Sequence, residues 1–369
     1  MAQRPIFAGN RQTGAWMKTG VAIVGGGLAG LSLARRLHLA GRDFQLFEAR
    51  DRLGGRIAAL RTDQGAVDLG PSWFWPGQPR MAALTAELGL RVFPQFAQGD
   101  VCLEDATGRV FRGAGYASME GSFRVAGGMV AVVDALAATL PAKRLHLCAR
   151  VEGLSRSGSV MMADGGSWQA DHVVLALPPR IAADLAVDPP LDPGMRATLA
   201  AIPTWMAGQA KFVAVYDRPF CRELGLSGDA MSHRGPLMEI HDASGPEGTP
   251  AALFGFLGIP APDRAGRADE IAREALVQLA RLFGPAAQTP NSTALQDWAF
   301  QRETATEIDL RPPSKHPDYC LPPRLSGLWD GRLHFAATET APEMGGYLEG
   351  ALAAAEMASM QLQGCGLAT

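Results

Sequence analysis

Several residues in this chain have types and spacings that could do chemistry. Gly25, Gly27 and Gly30 stand at the spacing G-x-G-x-x-G, after the apolar run Val21-Ala22-Ile23-Val24 and before the helical pattern Leu28, Leu31, Leu33, Ala34, Leu37. That order predicts a strand, a tight turn and a helix. The first glycine permits the turn, the second lets backbone approach a pyrophosphate, and the third lets the helix pack on the strand. The pyrophosphate would sit at the helix N-terminus, where unsatisfied N–H groups and the helix dipole favour negative charge. Glu48 follows 18 residues after Gly30, at the end of a second strand-like run over residues 42–47, where a carboxylate can grip ribose hydroxyls. Arg50 and the loop Arg52-Leu53-Gly54-Gly55-Arg56 set arginines beside glycines and can lie against phosphate. Lys211 interrupts the apolar stretch Phe212-Val213-Ala214-Val215. A lysine there either snorkels to the surface or, if buried, has its pKa pushed down by desolvation.

The elements that must hold these residues follow from periodicity and turn signals. Residues 80–88 have helical spacing with Gly89 as a stop, and residues 129–140 form an apolar helix broken by Pro141. Residues 145–148 read as a short strand, residues 160–166 as a hairpin, and residues 171–177 as a buried strand ended by two prolines. The middle of the chain changes character. Residues 209–216, 236–241, 251–257 and 293–300 are strand-like, with one long amphipathic helix over 268–283. This pattern predicts a mixed or antiparallel sheet with helices at its margins. Near the C-terminus, residues 332–337 read as a strand, Thr338 to Tyr347 as a turn and 348–362 as an alanine-rich helix.

Composition sets the outer limits. The chain has 369 residues, enough for two domains; hydrophobic residues make up 47% and charged residues 19%, ordinary values for a globular protein. The net charge of −3 offers no basic field for nucleic acid. Cys102, Cys148, Cys221, Cys320 and Cys365 are scattered with no C-x-x-C pair, which fits a reducing compartment and neither a disulfide framework nor a zinc site. No apolar run approaches the roughly 18 residues of a membrane span, and the N-terminus lacks the apolar core of a signal peptide. The expected location is cytoplasmic, with residues 1–17 as a loose N-terminal extension. His233 and His241 have no ligand-like spacing, and no metal site is expected.

Taken in order, these blocks resemble the flavin-containing amine oxidase family. The blocks are Gly25-x-Gly27-x-x-Gly30 with Glu48, Arg52-Leu53-Gly54-Gly55-Arg56, Asp68-Leu69-Gly70-Pro71-Ser72-Trp73, Leu175-Ala176-Leu177-Pro178-Pro179, Ala210-Lys211-Phe212-Val213, and Phe335-Ala336-Ala337-Thr338-Glu339-Thr340 with Gly346-Tyr347-Leu348-Glu349-Gly350. The resemblance implies an α/β protein with a Rossmann-like FAD-binding domain, discontinuous over residues 18–80, 121–190 and 326–369. A substrate-binding domain over 81–120 and 191–325 is inserted into it. It also implies cofactor contacts from Gly25, Gly27, Gly30, Glu48, Ala49, Arg50, Gly54, Gly55, Arg56, Gly70, Pro71, Ser72, Trp73, Val151, Trp298, Thr338 and Glu339. Lys211 matches a lysine that reaches flavin N5 through a water, and Tyr347 matches one wall of an aromatic cage around the substrate amine.

The implied reaction is oxidation of a small-molecule amine by hydride transfer to the flavin, hydrolysis of the imine, and reoxidation by molecular oxygen to hydrogen peroxide. An aromatic cage attracts a cationic amine on its way in. The chain departs from the family at three places. Ala337 replaces a glycine before Thr-Glu-Thr. His316 occupies the register of the cysteine that tethers flavin in some relatives, with Cys320 out of register, so the FAD is expected to be non-covalent. Pro317 stands at the second cage position, for which Tyr319 or Trp298 are the candidates. Other flavin reactions on the same scaffold remain open, with a polyene, a porphyrinogen or a dihydronicotinamide as substrate, as does a non-catalytic FAD-binding protein.

Overall fold

Val21, Ala22, Ile23 and Val24 are buried because their strand lies inside a sheet. In the computed structural model, which describes residues 17–364, the strand Met17–Val24 pairs in parallel with Phe44–Phe47 on one side and with Ser167–Leu175 on the other. A strand flanked in parallel on both edges and covered on both faces reads as a continuous apolar run. Met17, expected in the loose extension, and the polar residues Lys18 and Thr19 join this ladder opposite Trp168, Gln169 and Ala170. Backbone pairing is indifferent to their side chains, so the strand opens at Met17 rather than after it. The rest of the extension, residues 1–16, lies outside the described residues.

Packing divides the chain into two units. The first takes the chain up to Gly55, Val133–Trp205, and everything from Pro313 onward. Its sheet runs in the order Ala186–Asp188, Val151–Ser155, Ser159–Met162, Ser167–Leu175, Met17–Val24, Phe44–Phe47, Leu145–His146, and Leu333–Phe335 also pairs in parallel with Ser167–Leu175. The helices Leu28–Leu39 and Leu348–Gly364 pack together, with Arg36 and Glu356 paired at 2.9 Å.

The second unit takes Arg56–Val132 and Met206–Pro312. Its sheet runs Ser292–Asp297, Ala210–Tyr216, Ala251–Leu257, Leu237–Asp242, Leu226–Ser232, Asp100–Glu104, Val110–Arg112. All neighbours are antiparallel except Leu226–Ser232 with Asp100–Glu104. The helix Ala268–Phe283 covers one face, packing Ile271, Ala275, Leu279, Leu282 and Phe283 against Ala210, Phe212, Ala214 and Tyr216. The alternate residues Val213 and Val215 join Val67, Ala252 and Phe254 on the other face.

The unit boundaries differ from those drawn on the sequence. Residues 56–80 and 121–132 pack with the second unit, because Val92–Pro94 pairs with Phe123–Val125, Phe74 N–H donates to Phe123 O at 3.0 Å, and Asp68 Oδ1 accepts from Met129 N at 2.7 Å. Residues 191–205 and 313–325 fall in the first unit, where Tyr319 Oη donates to Pro203 O at 2.8 Å. Pairings so distant in sequence leave no mark on local composition. The strand Leu226–Ser232 also went unpredicted, since Ser227, Gly228 and Asp229 break its apolar pattern.

The turn at Gly25–Gly30 makes the fold testable. A Cβ on Gly30 would stand 2.0 Å from Gly25 O, whereas one on the loop residue Gly77 would meet nothing within 4 Å. Gly30→Ala is expected to lower stability by about 2 kcal/mol or more, and Gly77→Ala by less than about 0.5 kcal/mol, in paired thermal and urea melts.

Candidate active site

The glycine turn and Glu48 form a cradle within the first unit. Gly25 has φ +113°, and a Cβ there would come 2.5 Å from Ala176 O, so strand and turn meet backbone to backbone. The loop behind it closes in the same way: Gly54 N–H donates to Gly26 O at 2.8 Å, and Gly55, at φ +57°, lies so close that its Cβ would stand 3.2 Å from Gly27 Cα. Gly27 caps the helix Leu28–Leu39 without a side-chain hydrogen bond, and the first turn holds no acidic residue. That N-terminus suits a phosphate electrostatically and carries no side-chain cap.

Glu48 is 4% exposed, and its two oxygens accept from Gly26 N at 2.8 Å and Arg50 N at 2.9 Å. Each oxygen keeps a further lone pair for a hydroxyl. Ala49 and Arg50 continue from it, partly buried, and Val151 opens its strand at 8% exposure. Thr338 and Glu339, in the 3₁₀ turn Thr338–Thr340, are buried; Thr338 Oγ1 donates to Tyr347 O at 2.8 Å. Ala337, in the family's glycine position, has φ −90°, so its side chain carries no backbone strain. The observed cradle therefore fits a dinucleotide: close backbone, an uncapped helix end and a fixed carboxylate.

Lys211 belongs to the second unit. It is 2% exposed, and Nζ donates to Ser72 Oγ at 2.7 Å and to Gly70 O at 3.1 Å, over the Phe254 ring at 3.7 Å. It has not snorkelled. Alternation along Ala210–Tyr216 turns it away from the face under Ala268–Phe283, and the loop Gly70-Pro71-Ser72 meets it. Burial lowers its pKa to about 7, against the attraction of Asp68 and with the help of Arg124. Gly70 is held tightly, since a Cβ would lie 2.1 Å from Arg56 O and 3.4 Å from Trp298 Cζ2. Trp298 Nε1 donates to Leu69 O at 3.0 Å, and Trp73 Nε1 donates to Gln95 Oε1 at 2.8 Å. So Gly70 and Ser72 meet the lysine, Arg56 and Trp298 hold Gly70 from behind, and Trp73 packs at 5.2 Å from Phe254.

Tyr347 lies in the first unit with its ring stacked on His316, at 4.9 Å between centroids and 14° between planes. His316 in turn meets Trp205 at 5.0 Å and Tyr319 at 5.7 Å, both edge-on. The ring parallel to Tyr347 is thus His316, not Tyr319. Tyr319 spends its hydroxyl on Pro203 O and on Trp205 N–H. Rings this close leave no gap for a substrate between them.

Sequence reasoning passed over a buried group in the second unit. His241 Nδ1 stands 2.6 Å from Asp229 Oδ1 and Nε2 stands 3.1 Å from Glu239 Oε1. The one legible sign was a histidine inside a strand with a carboxylate two positions before it. Among the described residues no group of three His, Cys, Asp or Glu could hold a metal, and no helix is long and apolar enough to cross a membrane.

Comparison with known proteins agrees with this geometry. The chain matches the family described as flavin containing amine oxidoreductase over residues 28–118 and 114–363. It is 23% identical over 435 residues to a protein of Dictyostelium discoideum named as a probable flavin-containing monoamine oxidase A, covering 90% of this chain and 94% of that one. The fold resembles the solved structure of a putrescine oxidase variant, with a TM-score of 0.77, 22% identity, and coverage of 95% of this chain and 99% of that one. It also resembles cyclohexylamine oxidase from Brevibacterium oxydans IH-35A, with a TM-score of 0.76, 20% identity, and coverage of 93% and 98%.

Two outcomes follow from the geometry. Gly27 has φ −75°, and the nearest atoms to an added Cβ lie 4.0 Å away, so Gly27→Ala is expected to melt with the parent as apoprotein while binding FAD more weakly. Isothermal titration of apoprotein with FAD checks it, with about tenfold loss expected from a methyl in the path of the pyrophosphate. Lys211 has a lowered pKa in the folded chain, so between about 7 and 10.5 the unfolded chain binds a proton that the folded chain does not. Its contribution therefore makes stability rise with pH across that window. Urea melts of the parent at pH 7 and pH 9 should show this rise, and Lys211→Met should flatten it.

Proposed function

The chain belongs to the flavin-containing amine oxidoreductase family, and from that premise we propose that it oxidises a small primary or secondary amine, using non-covalent FAD and molecular oxygen. It is an FAD-dependent oxidoreductase. The observation that carries the substrate reading is Lys211, a buried amine with a pKa near neutrality, held by Gly70 and Ser72 against an aromatic wall. A lysine kept there at the cost of desolvation suits a role at a reacting centre better than a role in stability.

The bound flavin supplies the two-electron redox chemistry; the protein supplies binding, orientation and electrostatics. In this reading the first unit is the FAD-binding domain and the second the substrate-binding domain. Gly25, Gly27, Gly30, Gly54 and Gly55 let backbone N–H groups reach the pyrophosphate. Glu48 takes ribose hydroxyls, with Ala49 and Arg50 beside it, and Val151 meets the adenine. Thr338 and Glu339 hold the turn on the flavin side. Arg56, Gly70, Pro71, Ser72, Trp73 and Trp298 form the cofactor-side surround of Lys211. Near neutral pH, Lys211 can donate to a water with one N–H while Gly70 and Ser72 take two others, which fixes that water's position. Tyr347 presents its ring to the amine, backed by His316. His316 offers no thiolate for attachment and Cys320 is exposed, which supports non-covalent FAD.

Acid precipitation should release the flavin into the supernatant; colour retained in the pellet would contradict the non-covalent assignment. A panel of primary and secondary amines, added anaerobically, should bleach the flavin. Lys211→Met should keep FAD but slow flavin reduction or reoxidation, roughly tenfold or more. Tyr347→Ala should impair reduction more than Tyr347→Phe, because the ring face rather than the hydroxyl meets the amine. Stopped-flow absorbance separates the two half-reactions. Bleaching by a dihydronicotinamide or a polyene, with none by amines, would keep the scaffold and replace the substrate class.

A further inference from the structure

The register of the second unit's sheet puts five side chains, Lys211 among them, in one row on one face. Gln296 is opposite Lys211, Lys211 opposite Phe256, Phe256 opposite Glu239, and Glu239 opposite Met231. Residues directly opposite in antiparallel strands point to the same face, so the row is a continuous ledge. In it Gln296, Phe256, Glu239 and Met231 are only partly buried. In the next row Val213, Phe254 and His241 are closed off. Two strand spacings separate the backbones of Lys211 and Glu239, roughly 10 Å, with the Phe256 ring between.

Glu239 is clamped by one oxygen only. Its Oε1 accepts from Ser118 Oγ at 2.6 Å and lies 3.1 Å from His241 Nε2. Its Oε2 has no hydrogen-bond partner among the described residues, and the side chain is 29% exposed. The hydrogen bond from His241 holds its carboxyl below the usual range against the effect of burial. Burial alone would discharge His241, but its bonds to Asp229 and Glu239 outweigh that and raise its pKa. Oε1 is thus held by Ser118 with His241 beside it, and Oε2 is left for another donor on the partly buried row.

We propose that Glu239, positioned by Ser118 and by the buried His241–Asp229 pair, binds a second cationic group on the substrate, so that the enzyme selects a short aliphatic diamine over the matching monoamine. The reacting nitrogen lies toward the Lys211 end of the ledge, the methylenes run over Phe256, and the distal ammonium meets Glu239 Oε2. Glu239 determines specificity; His241, Asp229 and Ser118 are positioning residues that act through it. This inference rests on the amine-oxidase reading and narrows it.

The test uses the FAD-loaded protein with 1,4-diaminobutane and n-butylamine. Anaerobic stopped-flow gives the half-saturating concentration and limiting rate of flavin reduction, and equilibrium difference spectra give binding independently of turnover. In the parent, the diamine should half-saturate at a concentration at least about fivefold lower than the monoamine, the preference expected from a partly exposed charge pair. Glu239→Gln should bring the two to within about twofold by weakening the diamine, in both measurements. Glu239→Asp, which keeps the charge on a shorter arm, should retain a preference and move it toward 1,5-diaminopentane. Equal half-saturation of the two amines in the parent overturns the proposal even if no variant folds, as does an unchanged ratio in a folded Glu239→Gln protein. Failure of both amines to reduce the flavin overturns the amine-oxidase reading itself, and the two failures are thereby distinguished.

Discussion

A lysine ammonium removed from water is the constraint on which the second unit depends. Desolvating a charge is expensive, and Lys211 meets that expense with one hydroxyl, one carbonyl and an aromatic face rather than with an ion pair. Each donor or acceptor requires its own support. Gly70 must bring its carbonyl in with no side chain in the way, which Arg56 and Trp298 enforce by their closeness. Ser72 must stay buried, and Phe254 must lie under Nζ, where register across the sheet puts it one row away. The opposite sheet face is sealed by Ala268–Phe283, whose apolar stripe packs on alanine, aliphatic and aromatic partners. The strand Ala210–Tyr216 is therefore apolar on the helix side by packing and carries its buried lysine on the other by alternation.

The first unit is built on the opposite principle, the removal of side chains. Gly25, Gly30, Gly54 and Gly55 allow backbone to meet backbone, so the helix Leu28–Leu39 begins close to the strand end with its N–H groups uncapped. Helix ends ordinarily find a capping side chain, and one left without it can receive an anion. Glu48 shows economy of the same kind. It fixes the turn through Gly26 and Arg50 and still has acceptor capacity for a ribose.

Several buried charged groups of the second unit are held in pairs or on backbone carbonyls. Arg222 and Asp242 form a paired, double-bonded contact, as do Arg264 and Asp297. Arg124 is buried with its guanidinium on the carbonyls of Ala243 and Ser244. Lys211, by contrast, is held by a hydroxyl, a carbonyl and a ring face, and Glu239 has one oxygen with no hydrogen-bond partner among the described residues.

The sequence alone determined the glycine turn and the family. Glycine spacing, an apolar strand and a carboxylate at a set distance are local signals, because strand, turn and helix are contiguous in the chain and their chemistry is read by backbone position. The resemblance carried by ordered motifs named the family and singled out Lys211 and Tyr347, and the helix over 268–283 announced itself by periodicity. What the sequence could not determine was pairing between distant segments. Whether Lys211 is buried depends on the loop at Gly70 and the register with Phe256, 45 residues later. That His316 rather than Tyr319 lies on Tyr347 depends on how a proline-rich loop folds back. That Asp229 and Glu239 meet His241, and Ser118 meets Glu239, depends on two antiparallel strands and a loop far upstream. The division into units shifted for the same reason: strand partners and side-chain contacts are long-range choices, made by burial and hydrogen-bond satisfaction over the whole fold rather than by local propensity.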